Sequence, residues 1–498
     1  MRRGRVSWGW GTKAGVRPFV TMLQGLCLML PLGGCLLTDK PEPGLDIPQA
    51  YDRAPKNPVA AEAALPPLDW WRGFRSRELT ELIEEARSSN LDIAAAVARI
   101  VQADATSRIV GAPLLPTINA NGQALRSQSS KTTGLGNGRP FVDDSGFRVG
   151  NNLTASLTAS YEVDFWGKNR SAMRAAEELA VASRYDREVV GLTVVAATAN
   201  AYFQVLATQD LLRVTRENLQ SATRVLNLIQ QRLNAGTASA LDTAQQEALV
   251  NIQRALIPPL ERTLTQNRNA LSLLIARPPE RVHIRGGTLR SIAYPRVTPG
   301  LPSELLTQRP DIREAEANLA AANANVENAR AQMLPSIQLT GEGGYESAVL
   351  KLLFRPESVF FNAAAGLTQP IFDGGRLQGN LDLQKGRQDE LLQAYRKAVI
   401  SGFSDVETAL SDVRQTALRE KLQLEVVNSS RRAFDISEQR LREGTVDLVT
   451  VLQTQQTLFT AELSHVQAQL EHVQAIVSLY QALGGGWLPK PVEASNAR

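Results

Sequence analysis

The chain has 498 residues, with 54 Lys and Arg against 50 Asp and Glu, three histidines and two cysteines. Near-balanced charge without a basic arm or face excludes nucleic acid as the main partner. Cys27 and Cys35 supply neither a disulfide framework nor a Cys-rich metal site, and His283, His465 and His472 lack partners at metal-ligand spacing.

The first element is a leader. Arg2, Arg3, Arg5, Lys13 and Arg17 form a basic segment, and Phe19 to Leu32 form an apolar run too short to span a bilayer. The run closes on Leu32-Gly33-Gly34-Cys35. A secretory leader that ends in small residues and then cysteine resembles a bacterial lipobox, in which the cysteine is acylated and becomes the new N-terminus. Residues 1–34 are therefore expected to be a lipoprotein signal peptide and Cys35 the lipid-attachment site, with 35–74 an extended segment behind it. Position 36 is Leu, which implies an outer-membrane address.

From there the chain repeats itself. Residues 90–122 align with 309–341 at an offset of 219, through Asp92-Ile93 and Asp311-Ile312, Leu115-Pro116 and Leu334-Pro335, and Gly122 and Gly341. Farther on, "RLNAGT" (232–237) aligns with "RLREGT" (440–445) at an offset of 208. The offset falls by 11, the difference in length between a Gly- and Ser-rich stretch at 126–150 and a shorter one at 347–360. The expected organisation is repeat 1 at 75–277, a linker at 278–302, repeat 2 at 303–487 and a tail at 488–498. Each repeat reads as helix, β-hairpin, long helix, helix, with the hairpins near 115–165 and 335–373.

The hairpins show period two. Leu153, Ala155, Leu157, Ala159, Tyr161 and Val163 alternate with Thr154, Ser156, Thr158, Ser160 and Glu162. Strands of about 10 to 14 residues suit a tilted membrane crossing. The flanking segments have helical period, with seams such as Leu192, Ala196, Ala199, Phe203 and Leu206, and Val399, Phe403, Val406, Leu410 and Val413. His465 and His472 are expected in solvent or in such a seam. Lys168 to Leu233 contains no proline, and at about 1.5 Å per residue it predicts a helix of roughly 100 Å. Leu377 to Glu443 predicts its twin.

Four strands cannot close a barrel, and an open sheet edge cannot sit in lipid. Two chains would give eight strands and no real lumen, whereas three give twelve with room inside. The expected fold is mainly α with a small transmembrane β part. Long antiparallel coiled-coil helices form an α-barrel, and four strands per protomer enter a shared 12-stranded β-barrel in a homotrimer. Leu153, Leu157 and Tyr161 should face lipid, and Thr154, Ser156 and Thr158 the lumen.

Several motifs together carry a family resemblance: "WWRGF" (70–74), "YEVDFWG" (161–167), "LPSELLTQRPDIREAE" (301–316), "ARAQMLPSIQLTG" (329–341), "GLTQPIFDGGRL" (366–377) and "YQALGGGW" (480–487). The chain resembles the outer membrane factors, the TolC-type trimeric export channels, and within them the lipoprotein branch of multidrug efflux outer membrane proteins. The resemblance covers nearly everything from Trp70 to Trp487. It implies a non-enzymatic exit duct for drugs or other small molecules in a tripartite efflux system, without a cofactor. The implied partners are a periplasmic membrane fusion (adaptor) protein, an inner-membrane pump of the resistance-nodulation-division type, and outer-membrane lipid. A duct for type I protein secretion and a lipid-anchored coiled-coil scaffold without a pore are the alternatives.

The resemblance also places sites. The helix-turn tips at Gly236, Thr237, Gly444 and Thr445 should meet the adaptor. Asp242, Asp447, Val449, Thr450 and Gln453 should lie at the periplasmic aperture. Many members carry an acidic ring at the position of Gln453, so this ring should be uncharged. The aspartates have a second expected role as helix caps, Ser239 with Asp242 as a capping box and Asp447 as an N-cap.

Overall fold

The computed structural model describes residues 67–128, 149–295 and 302–487, with Gly44 and the short pieces 135–136 and 139–140. The expected signal peptide, Cys35, most of the 126–150 loop, the end of the linker and the 488–498 tail lie outside the described residues.

A tight turn at Trp70–Phe74 precedes repeat 1, which opens with α1 (Arg77–Ser89) and α2 (Leu91–Gly111). The sequence pattern reads as one helix through this stretch, but Asn90 divides it. The Asn90 side chain accepts hydrogen bonds from the N–H groups of Asp92 and Ile93, capping a new helix instead of continuing the old one. Pro113 and Pro116 end the helical run, and β1 (Thr117–Gln128) and β2 (Val149–Val163) form the hairpin. Then come α3 (Lys168–Asn234), 67 residues long, and α4 (Ala240–Leu274).

Repeat 2 follows the same order: α5 (Pro302–Gln308), α6 (Pro310–Ala331), β3 (Ser336–Ser347), β4 (Val359–Thr368), α7 (Arg376–Arg442), also 67 residues, and α8 (Leu448–Ala482). The entries to both long helices are built alike. Asp164 accepts from the N–H groups of Asn169 and Arg170, and Asp373 from those of Gly375 and Leu377. One asymmetry stands out in the 35-residue helices. α4 contains Pro258 and Pro259, which leave the carbonyls of Arg254 and Ala255 without i+4 donors, whereas α8 has no proline.

The four strands make one antiparallel sheet in the order β1-β2-β3-β4, so the hairpin of each repeat is joined to the other through β2 and β3. The expected seam residues pack as read. Ala196, Ala199, Phe203 and Leu206 lie in the larger core with Trp71, Phe74 and Val473. A second core near the far ends of the long helices takes Ile229 from α3, Val250 from α4, Phe434 from α7 and Phe459 from α8.

Side-chain contacts fasten the repeats and the linker to one another and within themselves. Trp70 stacks on Tyr480 at 4.7 Å, joining the turn before repeat 1 to the end of repeat 2. Within repeat 2, Arg309 bridges Asp311 at 2.6 Å and Asp405 at 3.0 Å, and donates to the Ala482 carbonyl. The linker crosses the bundle as a strap, where the Asp210 carboxylate, 2% exposed, accepts from Thr288 Oγ1 and the Leu289 N–H. Farther along the strap, the Tyr294 hydroxyl donates to Glu420 on α7 at 3.0 Å, and His472 Nδ1 of α8 lies 2.6 Å from the other Glu420 oxygen. His465 is buried in the same helix face, so both histidines occupy the seam and neither is in solvent.

Burial pushes the Glu420 carboxyl up, but hydrogen bonds from His472 and Tyr294 outweigh it and hold the group below its ordinary value. A lowered folded value means that its stabilisation is complete above the unfolded value of about 4.3 and is lost as pH falls through the folded one. Glu420→Gln should therefore destabilise the protein by about 1–3 kcal/mol at neutral pH. The gap from wild type should close as pH drops below about 4, as read by heat unfolding in detergent across a pH series.

Candidate functional site

Two regions bear the residues that the sequence singles out: the far tips of the long helices, and the sheet. At the tips the two repeats build the same turn. Gly236 (φ +76°) and Gly444 (φ +73°) take the left-handed conformation that closes a helix C-terminus. The N–H of Thr237 returns to the Arg232 carbonyl at 2.8 Å, and that of Thr445 to the Arg440 carbonyl at 2.9 Å. Gly236, Thr237, Gly444 and Thr445 are all exposed, so these four form the outermost surface of each reversal.

Each following helix is capped as its sequence indicates. Ser239 and Asp242 make a reciprocal capping box, with the Asp242 carboxylate accepting from the Ser239 N–H at 2.8 Å. Asp447 accepts from the Thr450 N–H at 2.8 Å, and hydrogen bonds from Thr450 hold its carboxyl below the usual range. Val449, Thr450 and Gln453 project from α8 on its exposed side, with Val449 at 59%, while Leu448, Val451 and Gln455 turn into the core. Val449 and Gln453 share one face by their i, i+4 spacing. That face carries no charge among these three residues.

Sequence reasoning missed what ties one tip to the other. The Arg232 guanidinium of α3 donates to the Leu441 carbonyl in the last turn of α7, a cation at the negative end of a helix. Glu438 of α7 binds Arg442 at 2.6 Å and stands 3.9 Å from Arg224 of α3. Arg440 and Arg442 do not reach another helix in these pairs; Arg442 bonds one turn back on its own. A spacing rule finds i, i+4 pairs but not contacts about 200 residues apart.

The sheet separates its faces as the alternation predicts. The register pairs Ile118 with Ala159, Leu157 with Gly343, Tyr161 with Leu339, and Ile337 with Leu367. That face is apolar and uncovered: Ile118 is 69% exposed, Leu157 58% and Phe361 85%. The opposite face carries Asn119, Asn121, Thr154, Ser156, Thr158, Glu342, Glu346 and Asn362, by the same register. These side chains bond one another. Ser156 donates to Glu342 at 2.8 Å, Asn152 to Glu346 at 2.8 Å, and Asn121 to Thr158 at 2.5 Å. Gly344 sits where β2 and β3 approach most closely, since a Cβ there would lie 2.2 Å from the Ala155 carbonyl oxygen. β1 and β4 form the two outer edges, each paired on one side only.

Among the described residues no group of three or more His, Cys, Asp or Glu could hold a metal ion. A groove of about 690 Å³ beside α1 is lined by charges that already pair, Arg77 with Glu81 and Arg277 with Glu85.

Comparison with known proteins agrees with this geometry. The family described as "Outer membrane efflux protein" matches residues 82–277 and 301–485. The pyoverdine export outer membrane protein OpmQ of Pseudomonas putida is 39% identical over 473 residues, covering 94% of this chain and 98% of that protein. OpmQ of Pseudomonas aeruginosa is 40% identical over 418 residues, covering 84% and 87%. The crystal structure of the open state of the Neisseria gonorrhoeae MtrE outer membrane channel superposes with a TM-score of 0.80 at 29% identity, covering 90% of this chain and 97% of that one.

Arg232→Met should lower stability by about 0.5–2 kcal/mol, because it strips the cation from the α7 terminus. Gln453→Ala, on the exposed side of α8, should stay within about 0.5 kcal/mol of wild type. Denaturant midpoints of the two variants, measured side by side, check both values.

Proposed function

The chain belongs to the outer membrane efflux protein family, and on that premise we propose that three copies assemble into a single duct, anchored by lipid at Cys35. This is an outer-membrane efflux channel that works within a tripartite system, with a periplasmic adaptor and an inner-membrane pump. The observation that carries the trimer is the open sheet. It has two unpaired edges, one uncovered apolar face and one polar face. Edges in hydrocarbon must be paired, and twelve strands from three copies satisfy them with a lumen to spare. The polar face then lines the pore, and the long helices extend the passage by roughly 100 Å.

In this reading the tips at Gly236, Thr237, Gly444 and Thr445 meet the adaptor. Val449, Thr450 and Gln453, with Asp242 and Asp447 beside them, border the periplasmic aperture. Support comes from their exposure and from the capping that keeps both aspartates occupied. The pump is of the resistance-nodulation-division type by resemblance, and the partner that co-purifies decides between it and an ATP-driven exporter. Two relatives are named for pyoverdine export, so pyoverdine is the first cargo to test. No observation favours protein secretion or a scaffold without a pore.

Native mass of detergent-extracted protein should correspond to three protomers, and intact mass of one protomer should show a chain beginning at lipid-bearing Cys35. A monomer, or an unmodified Cys35, would overturn the respective part. In planar bilayers, an uncharged Gln453 ring should leave wild type weakly blocked by divalent cations from the periplasmic side. Gln453→Asp should increase that block, since three carboxylates would then face one another across the aperture.

A further inference from the structure

The polar face of the sheet carries three carboxylates per protomer, Glu162, Glu342 and Glu346, by the parity of the register. Glu162 is neutralised by Lys168, which begins α3. Among the described residues the other two have neutral partners only. Glu342 accepts from Ser156 Oγ at 2.8 Å and Asn362 Nδ2 at 3.4 Å, and Glu346 from Asn152 Nδ2 at 2.8 Å. The four strands hold a single basic residue, Arg126, and it pairs with Asn151 on the opposite, lipid-side parity. Among the described residues the polar face thus has two uncompensated negative charges and no positive one in each protomer. Hydrogen bonds from amides and a hydroxyl favour the ionised form of a carboxyl without cancelling its field.

We infer that Glu342 and Glu346 form two stacked carboxylate rings that make the membrane barrel, not the helix tips, the charge filter of this duct, favouring cations over anions. The inference rests on the trimeric-duct reading above. Four residues of strand separate the rings by about 13 Å. With three copies, each ring holds three carboxylates pointing into one water-filled, low-dielectric-walled passage, where fields of one sign focus. The exposed α8 face at the tip offers a weaker field, because Val449, Thr450 and Gln453 are uncharged, and Asp242 and Asp447 sit at helix N-termini whose positive dipole ends partly offset their charge. Selectivity of this origin is a screened field effect. The Debye length is about 10 Å at 0.1 M salt and 3 Å at 1 M, so the preference should weaken as salt rises.

The test is the reversal potential of single channels of the full-length protein in a potassium chloride gradient. Wild type should be cation-selective. The double variant Glu342→Gln, Glu346→Gln should lose that preference, with its permeability ratio falling close to unity while channels still form. Thr154→Lys adds a base directly opposite Glu346 in the register and should shift the ratio toward chloride. It serves as the independent variant if the double one fails to assemble. Channels that form with an unchanged ratio in both variants would overturn the inference and leave the duct intact. Wild-type protein that gives no channels would overturn the duct reading itself, and the inference with it.

Discussion

Backbone amide and carbonyl groups have no water to bond in hydrocarbon, and each one left alone there costs several kcal/mol. β1 and β4 present two rows of such groups, and no strand among the described residues pairs with them. The rest of the structure can be understood from this constraint. In the proposed trimer, completing the sheet needs a uniform register, and Gly344 permits the close approach of β2 to β3 that joins the two hairpins into one element. In that proposed assembly the sheet also has a wet side. This is why a ladder of Asn, Ser, Thr and Glu side chains can persist on one face while Leu157 and Phe361 lie bare on the other.

Below the sheet the same problem is solved with side chains. Two repeats that share no continuous sheet with the helices have to be held in register by contacts distant in sequence. The linker supplies such stitches, with Asp210 of repeat 1 under it and Tyr294 reaching Glu420 beside His472 in repeat 2, and Arg309 between Asp311 and Asp405 does the same inside repeat 2. Apolar seams of small residues set the helix spacing but resist sliding weakly, since one methyl-lined groove resembles the next. Buried hydrogen-bonded charges lose more when displaced, because a partner left behind keeps its desolvation cost.

Much of this was legible in the residues. Helix length followed from the absence of proline between Lys168 and Leu233, and strand facing from strict alternation around Leu157. The repeat was visible because tip and turn motifs recur at fixed offsets, and Asp242 and Asp447 occupy the cap positions their spacing gave. What was not legible has a common cause. Asn90 interrupts a helical pattern by a local side-chain bond that periodicity does not see. Arg232 meeting the Leu441 carbonyl, and Glu420 meeting two partners, depend on distances set by tertiary packing. Glu342 and Glu346 were within reach, since "GEGGYES" places both on the polar parity, but a glycine-rich strand gives a weak alternation signal.

The proline pair in α4 has a consequence for symmetry. Three protomers with two helical hairpins each would place six hairpins around one axis, and identical repeats would make that arrangement nearly sixfold. Pro258 and Pro259 open two carbonyls on one hairpin, and the other has no counterpart. Such an assembly therefore alternates between two kinds of hairpin. Any protein that encircles it encounters a threefold pattern, and a partner built from identical subunits cannot bind every hairpin in the same way.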